Sequence, residues 1–293
     1  MKKNLFKTVI ALAIGTLAMI STSCGNKNTA NEGKKTELSF GFAPGPYADL
    51  FKSAIQPSLE AKGYKVKIVE LTDWVTPDLS LGNGEIDANI FQHSRYLRKI
   101  SADKGLELSP VISIPTASLG LFSNSIKVSD IEALKGQLKE GNTVSLPNDP
   151  TNLARALIFL KDLGLITIKS NIDEKQATEN DLDQNPFKLK IVPADAAQLP
   201  RSLDGTILAV IPGNYAISAG LNLANAIAVE HLVPETEIIV AVRTADLNAE
   251  WVAAVKSIIE SEKFKNFIEN AENGYTGFQR PSWYLQKWGI QNK

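Results

Sequence analysis

The chain is predicted to be an α/β protein built as two lobes with a ligand cleft between them. Three observations predict it. Strand-like and helix-like segments alternate from Leu38 to Phe122, and the alternation begins afresh at Thr143. Ile207–Ile211 is nearly all apolar, as a strand covered on both faces must be.

In the first set, Leu38–Phe42 alternates like a strand and stops at Ala43-Pro44-Gly45-Pro46. Tyr47, Leu50, Phe51, Ala54 and Ile55 then carry helical spacing, and one helix is expected up to Gly63. Val66, Ile68 and Leu71 alternate as a second strand, and Trp74–Leu81 reads as a short helix or turn closing at Gly82-Asn83-Gly84. Ile86–Phe91 is a third strand, expected to run into a loop that holds Gln92 and His93. A helix over Tyr96–Lys104 ends at Gly105, and Leu106–Ile114 and Leu119–Phe122 are further strands.

In the second set, Thr143–Leu146 is a strand, Pro150–Leu163 a helix closed by Gly164, and Lys188–Val192 a strand. Ala196–Leu203 is a helix, Ile207–Ile211 the buried strand, and Pro212–Ala219 a helix ending at Gly220. Ile238–Val242 is strand-like, and Asn248–Asn270 carries helical periodicity in one or two segments.

The ends of the chain carry different information. Lys2, Lys3 and Lys7 precede an apolar run, Val9–Ile20, of signal-peptide length. The run ends in Ser21-Thr22-Ser23-Cys24, small residues before the only cysteine, an arrangement similar to the lipobox at which lipoprotein signals are cleaved and the cysteine lipidated. Residues 1–23 are therefore expected to be removed, and residues 24–36, polar and without bulky apolar groups, to form a lipidated flexible tether. The apolar run is shorter than the roughly 20 residues that cross a bilayer. A soluble body held beside a membrane in the cell envelope is the expectation.

The whole chain has 31 Lys and Arg against 32 Asp and Glu. Residues 1–23 hold three of those lysines and no acid, so the remainder carries 28 against 32, a net charge of −4. With no basic stripe, nucleic acid is not an expected partner. One cysteine permits neither a disulfide framework nor a cysteine zinc site, and the two histidines, His93 and His231, stand far apart. No Gly-x-Ser-x-Gly elbow and no Gly-x-x-x-x-Gly-Lys loop occurs. No catalytic constellation, metal site or cofactor is expected, so a binding protein is the reading, not an enzyme.

The stretch Leu146–Arg155 is the first candidate site. Asp149 suits a helix N-cap and Pro150 the first helical position. Asn152 and Arg155, three apart, share a face near the positive end of that helix. Such a set suits a carboxylate or phosphate. The plainer alternative is an ordinary loop whose arginine is solvated or paired with an acid.

Four blocks then point to a family. They are Gly84-Glu85-Ile86-Asp87-Ala88-Asn89-Ile90-Phe91-Gln92-His93 with Tyr96-Leu97, Pro147–Asn152, Ala196–Arg201 and Gly213–Ala216. In this order and spacing they resemble the NlpA family, the methionine-binding lipoproteins of the MetQ type. The resemblance implies a periplasmic-binding-protein-like fold of type II. One lobe would span residues 37–122 plus 236–293, the other 123–235. It also implies delivery of methionine, or a closely related amino acid, to the permease and ATPase subunits of an ABC importer, by a monomer. Trp74, Phe91, His93 and Tyr96 match positions that enclose the thioether. Asn148, Asn152 and Arg155 would hold the carboxylate and amino group, with Asn214 and Tyr215 beside them. His93 is expected to act neutral, as wall and hydrogen-bonder. This chain departs from the family pattern at Pro212, where an asparagine is usual, at Thr116–Gly120, at Tyr47 and at Trp74. The same fold with another amino acid, a short peptide or an organosulfur ligand is the alternative. A surface lipoprotein acting in adhesion or signalling is the reading from another class.

Overall fold

A computed structural model describes residues 35–128 and 130–290. The signal segment 1–23, Cys24 and the tether up to residue 34 lie outside the described residues. Two five-stranded sheets organise the described chain. The first contains β1 (Glu37–Phe42), β2 (Lys65–Glu70), β3 (Ala88–His93), β4 (Leu108–Ser113) and β10 (Ile238–Arg243). The second contains β5 (Gly120–Phe122), β6 (Thr143–Pro147), β7 (Lys190–Ala194), β8 (Leu208–Ile211) and β9 (Ala228–Val229).

The two sheets share one plan. Their orders are β2-β1-β3-β10-β4 and β7-β6-β8-β5-β9. In each, three strands run parallel and the fourth, antiparallel, arrives from the other half of the chain. The chain thus passes between the sheets around residues 114–119 and again around 230–237. The first lobe was expected to run through residue 122, but Gly120–Phe122 pairs with β8 and β9 and belongs to the second sheet. Three short residues after a crossover hold no local signal for which sheet they join.

Each lobe has its own core. Phe40, Phe42 and Phe51 pack with Trp251, Val255 and Phe264 on the first sheet. Val144, Leu146, Leu157, Leu160 and Val210 pack on the second. The C-terminal helices Glu250–Ile259, Glu262–Glu269 and Ser282–Trp288 cover the first sheet, the second of them capped where the Phe264 N–H donates to Ser261 Oγ at 3.2 Å. The single helix expected from Tyr47 is two, Tyr47–Ala54 and Gln56–Glu60, because Pro57 has no N–H to continue the ladder.

The crossovers are tied together by one side chain from the C-terminal segment. Gln279 Nε2 donates to Ser118 Oγ at 2.7 Å and to the Glu230 carbonyl, while its Oε1 accepts from the Leu232 N–H at 2.9 Å. Its backbone also bridges Thr116. Gly213 admits the first crossover closely: a Cβ there would stand 2.6 Å from the Ser118 carbonyl oxygen. Among the described residues, no helix is long and apolar enough to cross a membrane.

Candidate functional site

Between the lobes lies a narrow cavity lined from both sheets by aromatic and amide side chains and by Arg155. Its walls come from the carboxyl ends of parallel strands in both sheets, where open α/β sheets bind ligands.

β3 supplies one wall. All six of its residues are buried, and the loop expected around Gln92 and His93 is absent. The strand continues through His93, which itself caps the helix Ser94–Lys104. His93 Nδ1 accepts the Tyr96 N–H at 3.1 Å, so the ring hydrogen sits on Nε2 and donates to Asn152 Oδ1 at 3.1 Å. Burial, followed by the nearby Arg155 charge, holds His93 well below the ordinary imidazole range. The expected neutral hydrogen-bonder is what the geometry describes.

β6 and the helix Pro150–Asp162 supply the opposite wall. Asp149 is the N-cap, accepting from the Asn152 N–H at 3.0 Å and from Thr151 Oγ1 at 2.9 Å, with Pro150 in the first turn. Asn152 Nδ2 also donates to Asp149, which fixes the amide so that Oδ1 faces His93 and Arg155. Burial raises the Asp149 carboxyl against the pull of these bonds.

Arg155 departs from the simplest expectation. Its Nε and Nη2 donate to Glu230 Oε1 and Oε2 at 2.7 and 2.5 Å, a buried bidentate pair, and Nη1 reaches Asn152 Oδ1 at 3.3 Å. The side-on fork is thus filled by an acid, as the plainer reading of this loop has it. Of five guanidinium N–H groups, two remain for a ligand carboxylate. No sequence signal links Arg155 to a glutamate 75 residues away.

Seven expected residues line the cavity together: Trp74, Phe91, His93, Tyr96, Asn152, Arg155 and Asn214. Trp74 and Tyr96 meet edge to face at 6.0 Å, and the Tyr96 hydroxyl donates to the Trp74 carbonyl at 3.1 Å. Tyr215 does not line the cavity; it packs behind Trp74, with ring centroids 5.1 Å apart. Asn148 does not line it either and is exposed just before Asp149. The Asn214 amide is partly committed, since Nδ2 donates to the Pro44 carbonyl at 2.9 Å.

The structure adds residues that pattern alone did not assign to the site. Tyr47, buried in the first lobe, accepts the Ala117 N–H at 3.1 Å and lines the cavity; burial raises its phenol well above the ordinary range. Gln92 also lines it, with Nε2 donating to the buried Asp78. Pro212 caps the helix Gly213–Ser218 at the cavity wall and brings no N–H. Among the described residues, no cluster of His, Cys, Asp and Glu could hold a metal ion.

The sequence profile described as NlpA lipoprotein matches residues 38–283. A protein of Vibrio cholerae named probable D-methionine-binding lipoprotein MetQ is 36% identical over 88% of this chain and 92% of its own. Outer membrane lipoprotein 3 of Mannheimia haemolytica is 32% identical over 94% of this chain and 98% of its own. Among solved structures, a nutrient-binding protein of Burkholderia cenocepacia bound to methionine superposes with a TM-score of 0.73. It has 33% identity and covers 81% of this chain and 98% of that one. Sequence and fold agree over nearly the whole described chain, which therefore belongs to the NlpA lipoprotein family.

Proposed function

We propose that this protein is the lipid-anchored solute-binding component of an ATP-driven importer, carrying methionine or a closely related amino acid between its lobes. The observation that carries this is one cavity in which an aromatic wall faces a polar corner. Trp74, Phe91 and Tyr96 stand on one side, Asn152 and Arg155 on the other. A thioether gains roughly 0.3–1.5 kcal/mol per aromatic contact, while the two uncommitted Arg155 N–H groups suit an α-carboxylate. His93 would orient Asn152, and Tyr215 would support Trp74 without touching the ligand.

The names of the Vibrio relative and the Burkholderia structure support this ligand class. The lobe limits belong to the proposal in corrected form: about 37–119 with 236–290, and about 120–235, in keeping with strand pairing. Lipidation at Cys24, residence at the membrane face of the envelope, delivery to permease and ATPase subunits, and action as a monomer complete it.

Methionine is expected to raise the melting temperature, by the equivalent of about 2.7 kcal/mol at a hundredfold excess over Kd. It should also change tryptophan fluorescence through Trp74. Native mass spectrometry of the purified protein would identify a co-purified ligand directly. A second reading, the same fold with another small ligand, is favoured by Pro212, which stands at the cavity wall without a donor. It wins if methionine gives no shift and another amino acid does.

A further inference from the structure

The cavity carries one buried cation whose charge is already matched, and this has a consequence for which ligands it accepts. Arg155 and Glu230 are both buried and joined by two short charge-assisted bonds. Glu230 is held there by the crossovers. Its N–H donates to the Leu119 carbonyl at 2.9 Å, its Oε2 accepts from the Leu119 N–H at 3.3 Å, and its carbonyl takes the Gln279 amide. The carboxylate therefore cannot swing away when a ligand reaches Arg155 without breaking the strand contact that positions it.

Other ionisable groups stand nearby, and a change at Glu230 leaves them all in place. His93 is neutral, Asp149 caps its helix beside Arg155, and Arg95 shares Glu235 with Arg98 and Lys175 at 3.7, 3.8 and 2.8 Å. A ligand bearing only a carboxylate would meet an Arg155 whose charge Glu230 already matches, and would leave a net negative charge in a buried site. A ligand with an ammonium on the same carbon brings its own balance.

Resting on the reading of the site as an amino-acid pocket, we propose that Glu230 is a positioning residue that sets the charge rule of the cavity. By filling the side-on fork of Arg155 and neutralising it, Glu230 makes the site select zwitterionic α-amino acids over plain carboxylates. The chemistry is that of an ion pair offered to an ion pair.

The test is calorimetry on the full chain in detergent, freed of bound ligand, with methionine and with 4-(methylthio)butanoate, which lacks only the amino group. Wild type is expected to prefer methionine by at least about a hundredfold, and E230Q to narrow that ratio by at least about tenfold. A residue that merely supported the fold would weaken both ligands alike and leave the ratio unchanged, and that result overturns the proposal. E230D keeps the charge on a shorter arm; both affinities should fall while the ratio holds. If E230Q does not fold, E230D and wild type decide: a collapsed ratio in E230D, or a wild-type ratio within about threefold of unity, overturns the proposal. If wild type binds another α-amino acid in place of methionine, the ligand assignment fails alone, and the ratio is taken with that amino acid and its des-amino analogue. Binding of no α-amino acid refutes both.

Discussion

Asp78, behind the cavity, should destabilise the protein in a pH-dependent way that a single amide removes. It is fully buried on the helix Thr76–Gly82. Its Oδ1 accepts from Asn89 Nδ2 at 2.8 Å and from Gln92 Nε2, while Oδ2 has no protein donor among the described residues. Burial pushes the carboxyl from 3.8 up to about 7, the bonds from Asn89 and Gln92 pulling it partly back. An acid with its folded value above its unfolded value keeps a proton that the unfolded chain releases. Stability therefore declines as pH rises from about 4 to 7, and the full cost stands above that window. A gap of this size corresponds to at most about 4 kcal/mol. In D78N the amide oxygen keeps accepting from Asn89 and Gln92. The new NH2 supplies a donor, as the proton does on the acid. D78N should then be more stable than wild type by up to about 4 kcal/mol at pH 8 and by under about 2 kcal/mol at pH 5. Urea melts of both proteins at the two pH values measure this, and other titrating groups cancel in the difference. A gain that does not shrink on acidification, or a loss at both pH values, would refute the reasoning.

Two further perturbations probe the site and its hinge. R155A removes the partner of a buried glutamate and should cost about 3–5 kcal/mol in chemical denaturation. R155A/E230A should recover part of that stability without recovering ligand affinity in calorimetry; recovery of affinity would show that Arg155 does not hold the carboxylate. G213A places a Cβ 2.6 Å from the Ser118 carbonyl oxygen and should lower stability by about 1–3 kcal/mol, since the clash is with backbone. An unchanged melting temperature would mean the crossover gives way freely.

What was legible in the sequence was local. The strand–helix alternation, the Asp149 cap with Pro150 behind it, and the aromatic block of β3 all depend on neighbours within a few residues, and the structure places them so. What was not legible was pairing across the chain. β5 has three residues and no signal for which sheet receives it, yet Gly120 finds Ile211 and Val229. Arg155 looked available because the acid that fills its fork lies on a crossover segment, where a glutamate has no periodicity to stand out from. Asn148 and Asn152 were both expected at the ligand, one before the helix and one in its first turn. The helix start separates them, burying Asn152 against Asp149 and leaving Asn148 exposed before it.

Residues that line the cavity also latch the lobes. His93 on the first lobe donates to Asn152 on the second at 3.1 Å, Asn214 reaches the Pro44 carbonyl at 2.9 Å, and Trp74 lies against Tyr215 at 5.1 Å. Each contact contributes about 0.5–1.5 kcal/mol, so together they match the few kcal/mol that set open and closed populations. Closure and recognition therefore draw on one set of atoms. Asn152 Oδ1 is the clearest case, since it accepts from His93 across the cleft and from Arg155 beside it. Removing that oxygen would loosen the latch and leave the guanidinium held by Glu230 alone. Affinity and the resting position of the lobes should then change together.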